Sequence, residues 1–146
     1  MNSYNGFTPK QRYAALAWLK DQHKQGLREM EPTQCEVCGQ THGKLMYHSE
    51  DYSYPFGDHI GAYALCYTCH MMIHCRFRNK AAWNIYIQSL KQNKLFEPFY
   101  FNDWNRFRKD CLIDKFANRK FTEVESTNYQ VLLDIDCGEI KASTLS

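Results

Sequence analysis

Two Cys-x-x-Cys pairs constrain this chain more than any other feature: Cys35 with Cys38, and Cys66 with Cys69, with residues 39–65 between them. Each pair of this kind sits on a tight turn that points both sulfurs inward, so two matched pairs describe a four-thiolate knot around a zinc ion. The competing reading, two unrelated pairs of buried thiols, leaves the matched spacing unexplained. Directly after the second pair come His70 and His74. Four residues apart on a helix, their imidazoles share one face and form a second candidate metal site. The competing role for these two rings is to buttress the knot by hydrogen bonding, with no second ion.

Seven cysteines would also suit a secreted disulfide framework, but the number is odd, no apolar signal segment is visible and four of the seven fall in the paired spacing. A reducing, cytoplasmic setting is therefore expected, with Cys75, Cys111 and Cys137 as ordinary thiols. No run approaches the roughly 18 apolar residues of a membrane span, so no membrane partner is expected.

At 146 residues the chain reads as one compact domain whose modest core is reinforced by the knot. Its parts are an N-terminal helix (1–34), the zinc-binding core (35–78), a helical extension (79–120) and an acidic tail or hairpin (121–146). The formal charge of +2 is unevenly spread. The tail carries Glu123, Glu125, Asp134, Asp136 and Glu139 against Lys141 alone, so the body is more basic than the total suggests.

A few loose residues precede Thr8 and Pro9, an N-cap followed by proline at the first helical position, and a helix is expected to about residue 30. Its apolar face is read from Tyr13, Leu16, Ala17, Lys20 and Leu27, broadened by Trp18 and Leu19, with Gly26 weakening the last turns. Strands are expected at 44–48 and 62–65 and a helix at 69–79. Asn79 caps a further helix over 80–93, and Asn102 or Asp103 starts a third long helix ending near 116–118. Residues 129–136 have strand-forming side chains, and 136–139 look like a turn. The fold class expected is α+β, mainly helical.

Taken together, Cys35-x-x-Cys38, His48, Asp51-Tyr52-Ser53-x-Pro55-Phe56, Leu65-Cys66-x-x-Cys69-His70 and His74 resemble the HNH endonucleases in their zinc-knotted form. The resemblance covers residues 35–78. It implies a small ββα-metal core stapled by the four-cysteine zinc site, with flanking helices, in which a first-strand histidine activates water and helix residues hold one divalent cation. It also implies DNA as substrate and cleavage to 5′-phosphate and 3′-hydroxyl ends. Many relatives carry a His-His or Asp-His pair, the first residue binding metal and the second acting as base, where this chain has Tyr47-His48-Ser49. His48 is then either the base, with Tyr47 in place of a ligand, or a third ligand, with Ser49 where the base would stand. Glu50 or Asp51 is placed to complete the metal shell. Asp58-His59 imitates the pair but lies too close to Cys66 for a second strand, so His59 is read as a loop residue, and His23 and His42 as surface residues.

Hydrolysing a phosphodiester needs a base for the water proton and a cation for the charge gathering on the phosphoryl oxygens and the leaving oxygen. Histidine suits the first task, being largely neutral at pH 7. His70 and His74 suit the second, with Mg²⁺, Mn²⁺ or another divalent ion. Arg76, Arg78 and Lys80 follow the histidines, and residues 105–120 add Arg106, Arg108, Lys109, Lys115, Arg119 and Lys120 against Asp110 and Asp114. Arg76, Arg78, Lys80, Arg106 and Lys109 are the candidate phosphate contacts. A palindrome-cutting enzyme of this size is commonly a symmetric homodimer. The alternative function is a catalytically inactive zinc-binding module that grips DNA or a protein.

Overall fold

The computed structural model describes residues 1–112 and 118–138. The fold is α+β: among the described residues there are five α-helices and two small antiparallel sheets. The first helix, α1 (Pro9–Lys24), starts in a reciprocal capping box, with Thr8 Oγ1 accepting from the Gln11 amide at 3.2 Å and Gln11 Oε1 accepting from the Thr8 amide at 2.8 Å. It ends well before residue 30. Gly26 takes φ +72° just past the Gln25 cap, and the Gly26 and Leu27 amides return to the His23 and Gln22 carbonyls, closing a Schellman turn. Glycine stops this helix rather than softening it. The buried face is Ala15 and Leu19, with Tyr13 left 55 % exposed, because apolar residues ring the helix and their spacing alone does not select a side.

The segment before Thr8 is not loose from Tyr4 onward. Tyr4 and Phe7 form a two-residue bridge and pack with Ala15, Leu19, Tyr52 and Ile60 into a small core of their own.

Strands β1 (Leu45–His48) and β2 (Tyr63–Cys66) pair antiparallel, with Leu45 opposite Cys66 and His48 opposite Tyr63. The chain then enters α2 (Tyr67–Cys75) with no intervening loop, Cys66 acting as N-cap and its sulfur accepting from the Cys69 amide at 3.4 Å. This helix starts two residues earlier than the sequence suggested and stops at Cys75, where residues 76–79 turn the chain. Asn79 caps α3 (Lys80–Lys91), its Oδ1 accepting from the Ala82 amide at 3.0 Å. Ala82, Trp83, Tyr86, Ile87 and Leu90 form the buried face expected of a 3.6-residue period.

A second antiparallel pair, between segments well apart in the chain, was not anticipated; a hairpin was expected only within residues 121–146. Strand β3 (Lys94–Phe96) pairs with β4 (Phe121–Glu123), Phe96 opposite Phe121. Between them, Asp103 caps the short helix α4 (Trp104–Phe107), which continues as a π-helical turn over Arg108–Leu112; the expected end of a long helix near 116–118 falls largely outside the described residues. Residues 129–136, expected as a strand, form helix α5 (Gln130–Asp136) instead. Leu132 and Ile135, three apart, are buried against the main core, and that packing overrides the strand preference of the isolated segment. The Asn128 amide ties this region to the Val37 carbonyl inside the first cysteine turn at 2.7 Å. Glu139, the last residue of the expected turn, lies outside the described residues.

The main core joins both cysteine pairs to β1, β2, α2, α3 and α5. A third cluster, Tyr67, Phe99, Phe107 and Cys111, seals the other side of α2.

Candidate metal centres

Three elements deliver the cysteines. Cys35 and Cys38 lie on the turn before β1, where the Gly39 amide returns to the Cys35 carbonyl at 3.0 Å and Gly39 holds φ +83°. Cys66 ends β2 and Cys69 sits in the first turn of α2. All four are buried and free, their sulfurs within 4.8 Å of one another, with Cys38 and Cys66 at 3.6 Å. A tetrahedral zinc with bonds of about 2.3 Å separates its sulfurs by about 3.8 Å, so the donor set and spacing fit that ion. Hydrogen bonds from Cys38, Cys66 and Cys69 hold the Cys35 thiol far below its ordinary pKa, while Cys66 and Cys69 are pushed up. The Tyr86 hydroxyl lies 2.9 Å from Cys69 Sγ and braces α3 against the cluster. Cys75 and Cys111 are buried apart from it and Cys137 is exposed.

One helical turn further along, His70 and His74 come together with His48 at the end of β1. One ring nitrogen from each lies within 4.8 Å of the others, and the Nε2 atoms of His70 and His74 are 3.1 Å apart. The rings meet edge-on, with His48 centred 4.8 Å from His70 and 5.2 Å from His74. Burial drives all three below the ordinary histidine pKa; for His70 and His74 the His48 ring adds to it, and His74 reaches about 3. Three neutral imidazoles facing one another, with His48 Nδ1 and His70 Nδ1 buried and unpartnered, are a donor set that could hold a divalent cation.

Behind His48 stands a buried polar network. Glu50 Oε2 accepts from His48 Nε2 at 2.5 Å and from the Tyr4 hydroxyl, and Glu50 Oε1 accepts from Arg76 Nη2 at 2.9 Å. Arg76 Nη1 in turn donates to the Tyr4 oxygen at 2.8 Å. Burial works to raise the Glu50 pKa, but His48, Tyr4 and Arg76 together outweigh it and hold the carboxyl low, so it is an anion. An ionised Glu50 fixes the proton of neutral His48 on Nε2 and leaves Nδ1 as the basic nitrogen.

The other expected positions fall as follows. Glu50 is held by His48, Tyr4 and Arg76. Asp51 turns away from the three histidines, its Oδ1 accepting from the Ser53 amide at 2.8 Å. Tyr47 lies on the opposite face of β1 from His48, its ring 5.1 Å beneath the Arg28 guanidinium, as strand alternation requires. Ser49 Oγ accepts from the Gly61 amide at 2.6 Å and fixes the hairpin loop. His59 bonds the Ser53 carbonyl within that loop. Arg76, expected as a surface phosphate contact, is 4 % exposed and engaged with Glu50, Tyr4 and the Ile73 carbonyl. Arg78, Lys80, Arg106 and Lys109 are exposed, Lys80 lying 3.3 Å from Asp136 and Arg106 stacking on Phe101 at 3.7 Å. Tyr4 was missed, since nothing in the sequence near it announces a partner 46 residues away.

No protein-family model, curated protein or solved structure matches the chain. No helix among the described residues is long and apolar enough to cross a membrane.

Proposed function

We propose that the protein is a metal-dependent endonuclease of the HNH type, hydrolysing DNA phosphodiester bonds from a ββα-metal core. The observation that carries this reading is the convergence of His48, from the end of β1, with His70 and His74, from α2, on one small volume beside a four-cysteine cluster. In it His70 and His74 would hold a divalent ion. When bound, that ion supplies positive charge for the phosphoryl oxygens and the leaving 3′ oxygen. His48 Nδ1, the nitrogen left basic by Glu50, takes the proton of the attacking water. Glu50, Tyr4 and Arg76 act through His48 as positioning residues. The exposed Arg78, Lys80, Arg106 and Lys109 supply phosphate contacts.

Plasmid nicking in Mg²⁺ or Mn²⁺ tests the reading. His48→Ala is expected to lower the rate by about 10²–10⁴-fold, the usual contribution of a positioned base, with zinc content and circular dichroism unchanged. Unaltered cleavage by that variant places the base elsewhere.

The second reading, a catalytically inactive zinc module that grips DNA or a protein, is favoured by the burial of His48, which is 2 % exposed. It predicts salt-sensitive DNA binding with no cleavage in any divalent ion.

A further inference from the structure

Arg119 is the one guanidinium of the extension that lies buried, at 6 % exposure, yet among the described residues it is ion-paired with no carboxylate. Its Nη2 donates to the Glu97 carbonyl at 3.1 Å and lies 3.4 Å from Thr68 Oγ1, while Nε and Nη1 are buried without a hydrogen-bond partner. A buried cation with unused donors is costly unless an anion joins it. Arg119 lines a cleft of about 400 Å³ between α3 and the β3–β4 pair, within the size range of small-ligand sites. Lys94 lines the same cleft, and among the described residues no acidic side chain does. Both cations lie over aromatic rings that also line it: Arg119 is 4.9 Å from the Phe96 centroid and Lys94 4.6 Å from the Phe121 centroid. Gln88 and Gln92 add amide donors and acceptors from α3.

Two cations, two aromatic walls and side-chain amides match a ligand with an anionic end, a flat ring and polar edges. We propose that this cleft binds a nucleoside monophosphate unit, its phosphate on Arg119 and Lys94 and its base against Phe96 and Phe121. The site lies apart from the three histidines and does not depend on their chemistry. Such a unit could be a free nucleotide or one residue of a nucleic-acid strand.

Titration calorimetry on the full chain, with dAMP, deoxyadenosine, inorganic phosphate and a short single-stranded oligonucleotide, tests this. Binding of dAMP at least tenfold tighter than either deoxyadenosine or phosphate is expected, weakened at least fivefold by Lys94→Gln and further by Arg119→Met. Should Arg119→Met fail to fold, Lys94→Gln alone carries the comparison. An oligonucleotide that competes with dAMP identifies a strand as the source, whereas binding of dAMP without such competition identifies a free nucleotide; either result supports the site. No binding of dAMP at millimolar concentration, binding of deoxyadenosine as tight as dAMP, or dAMP affinity unchanged in Lys94→Gln overturns it.

Discussion

Arg76 Nη2 lies 2.9 Å from Glu50 Oε1, and both side chains are almost wholly buried. This ion pair joins the end of α2 to the segment just after β1, and through Glu50 it sets the proton position on His48. Removing one partner leaves the other charged and buried, which costs about 3–5 kcal/mol. Arg76→Met should therefore destabilise the fold by that order in urea titration. The double variant Arg76→Met with Glu50→Leu should recover much of the loss while still disturbing the His48 site. A single variant that unfolds at the wild-type midpoint would show that the pair carries no such weight.

Tyr4 hydroxyl donates to Glu50 and accepts from Arg76. Tyr4→Phe deletes both bonds and little volume, leaving a buried carboxylate with one fewer donor, at a cost of about 1–3 kcal/mol. Zinc content should be unaffected, because Tyr4 packs with the histidine and α1 side of the molecule and not with the cysteines. Loss of zinc from Tyr4→Phe would mean that the two centres are coupled through α2.

How much of this was legible in the chain follows from the range of each interaction. The cysteine knot, the helix caps at Thr8, Asn79 and Asp103 and the histidine pair on α2 rest on neighbours within a few residues, and local spacing reports them. The long-range partners were hidden. Tyr4 reads as a stray residue of a terminus, and Arg76 reads as one more surface cation, because only the folded chain brings them to Glu50. The same applies to α5. Tyr129, Val131 and Ile135 favour a strand by type, and it is the contact of Leu132 and Ile135 with the main core that settles a helix. The β3–β4 pairing joins segments on either side of α4, beyond the reach of any turn signal.

The cysteine cluster should bind one zinc per chain, and its loss should unfold the main core, which contains all four cysteines. Cys66→Ser is expected to abolish stoichiometric zinc and the cooperative thermal transition, since Cys66 both ends β2 and caps α2. Cys137→Ser, at an exposed thiol, is the control and should leave both intact. Full zinc retention and a cooperative transition in Cys66→Ser would remove the cluster from its structural role.

Acid should destabilise the protein through its histidines. The folded pKa of His74, about 3, lies below the ordinary 6.5, so between those values the unfolded chain holds a proton that the folded chain lacks. Stability is therefore full above about pH 6.5 and is lost as pH falls toward 3, by about 1.4 kcal/mol per pH unit for each such group. His48 and His70 shift the same way and steepen the loss. Urea midpoints of the zinc-loaded protein between pH 7.5 and 5 should fall, and His74→Gln should flatten the slope. An identical slope in wild type and variant would contradict the assignment.

The central claim is that His70 and His74 hold a divalent ion within reach of His48, separately from the zinc among the cysteines. Anomalous diffraction from crystals of the zinc-loaded protein soaked in Mn²⁺ measures this most directly. The account predicts a manganese peak at bonding distance from one nitrogen of each of His70 and His74 and facing His48, together with a distinct zinc peak inside the four sulfurs. A zinc peak alone, with the three rings hydrogen-bonded only to one another and to Glu50 at saturating manganese, would contradict it.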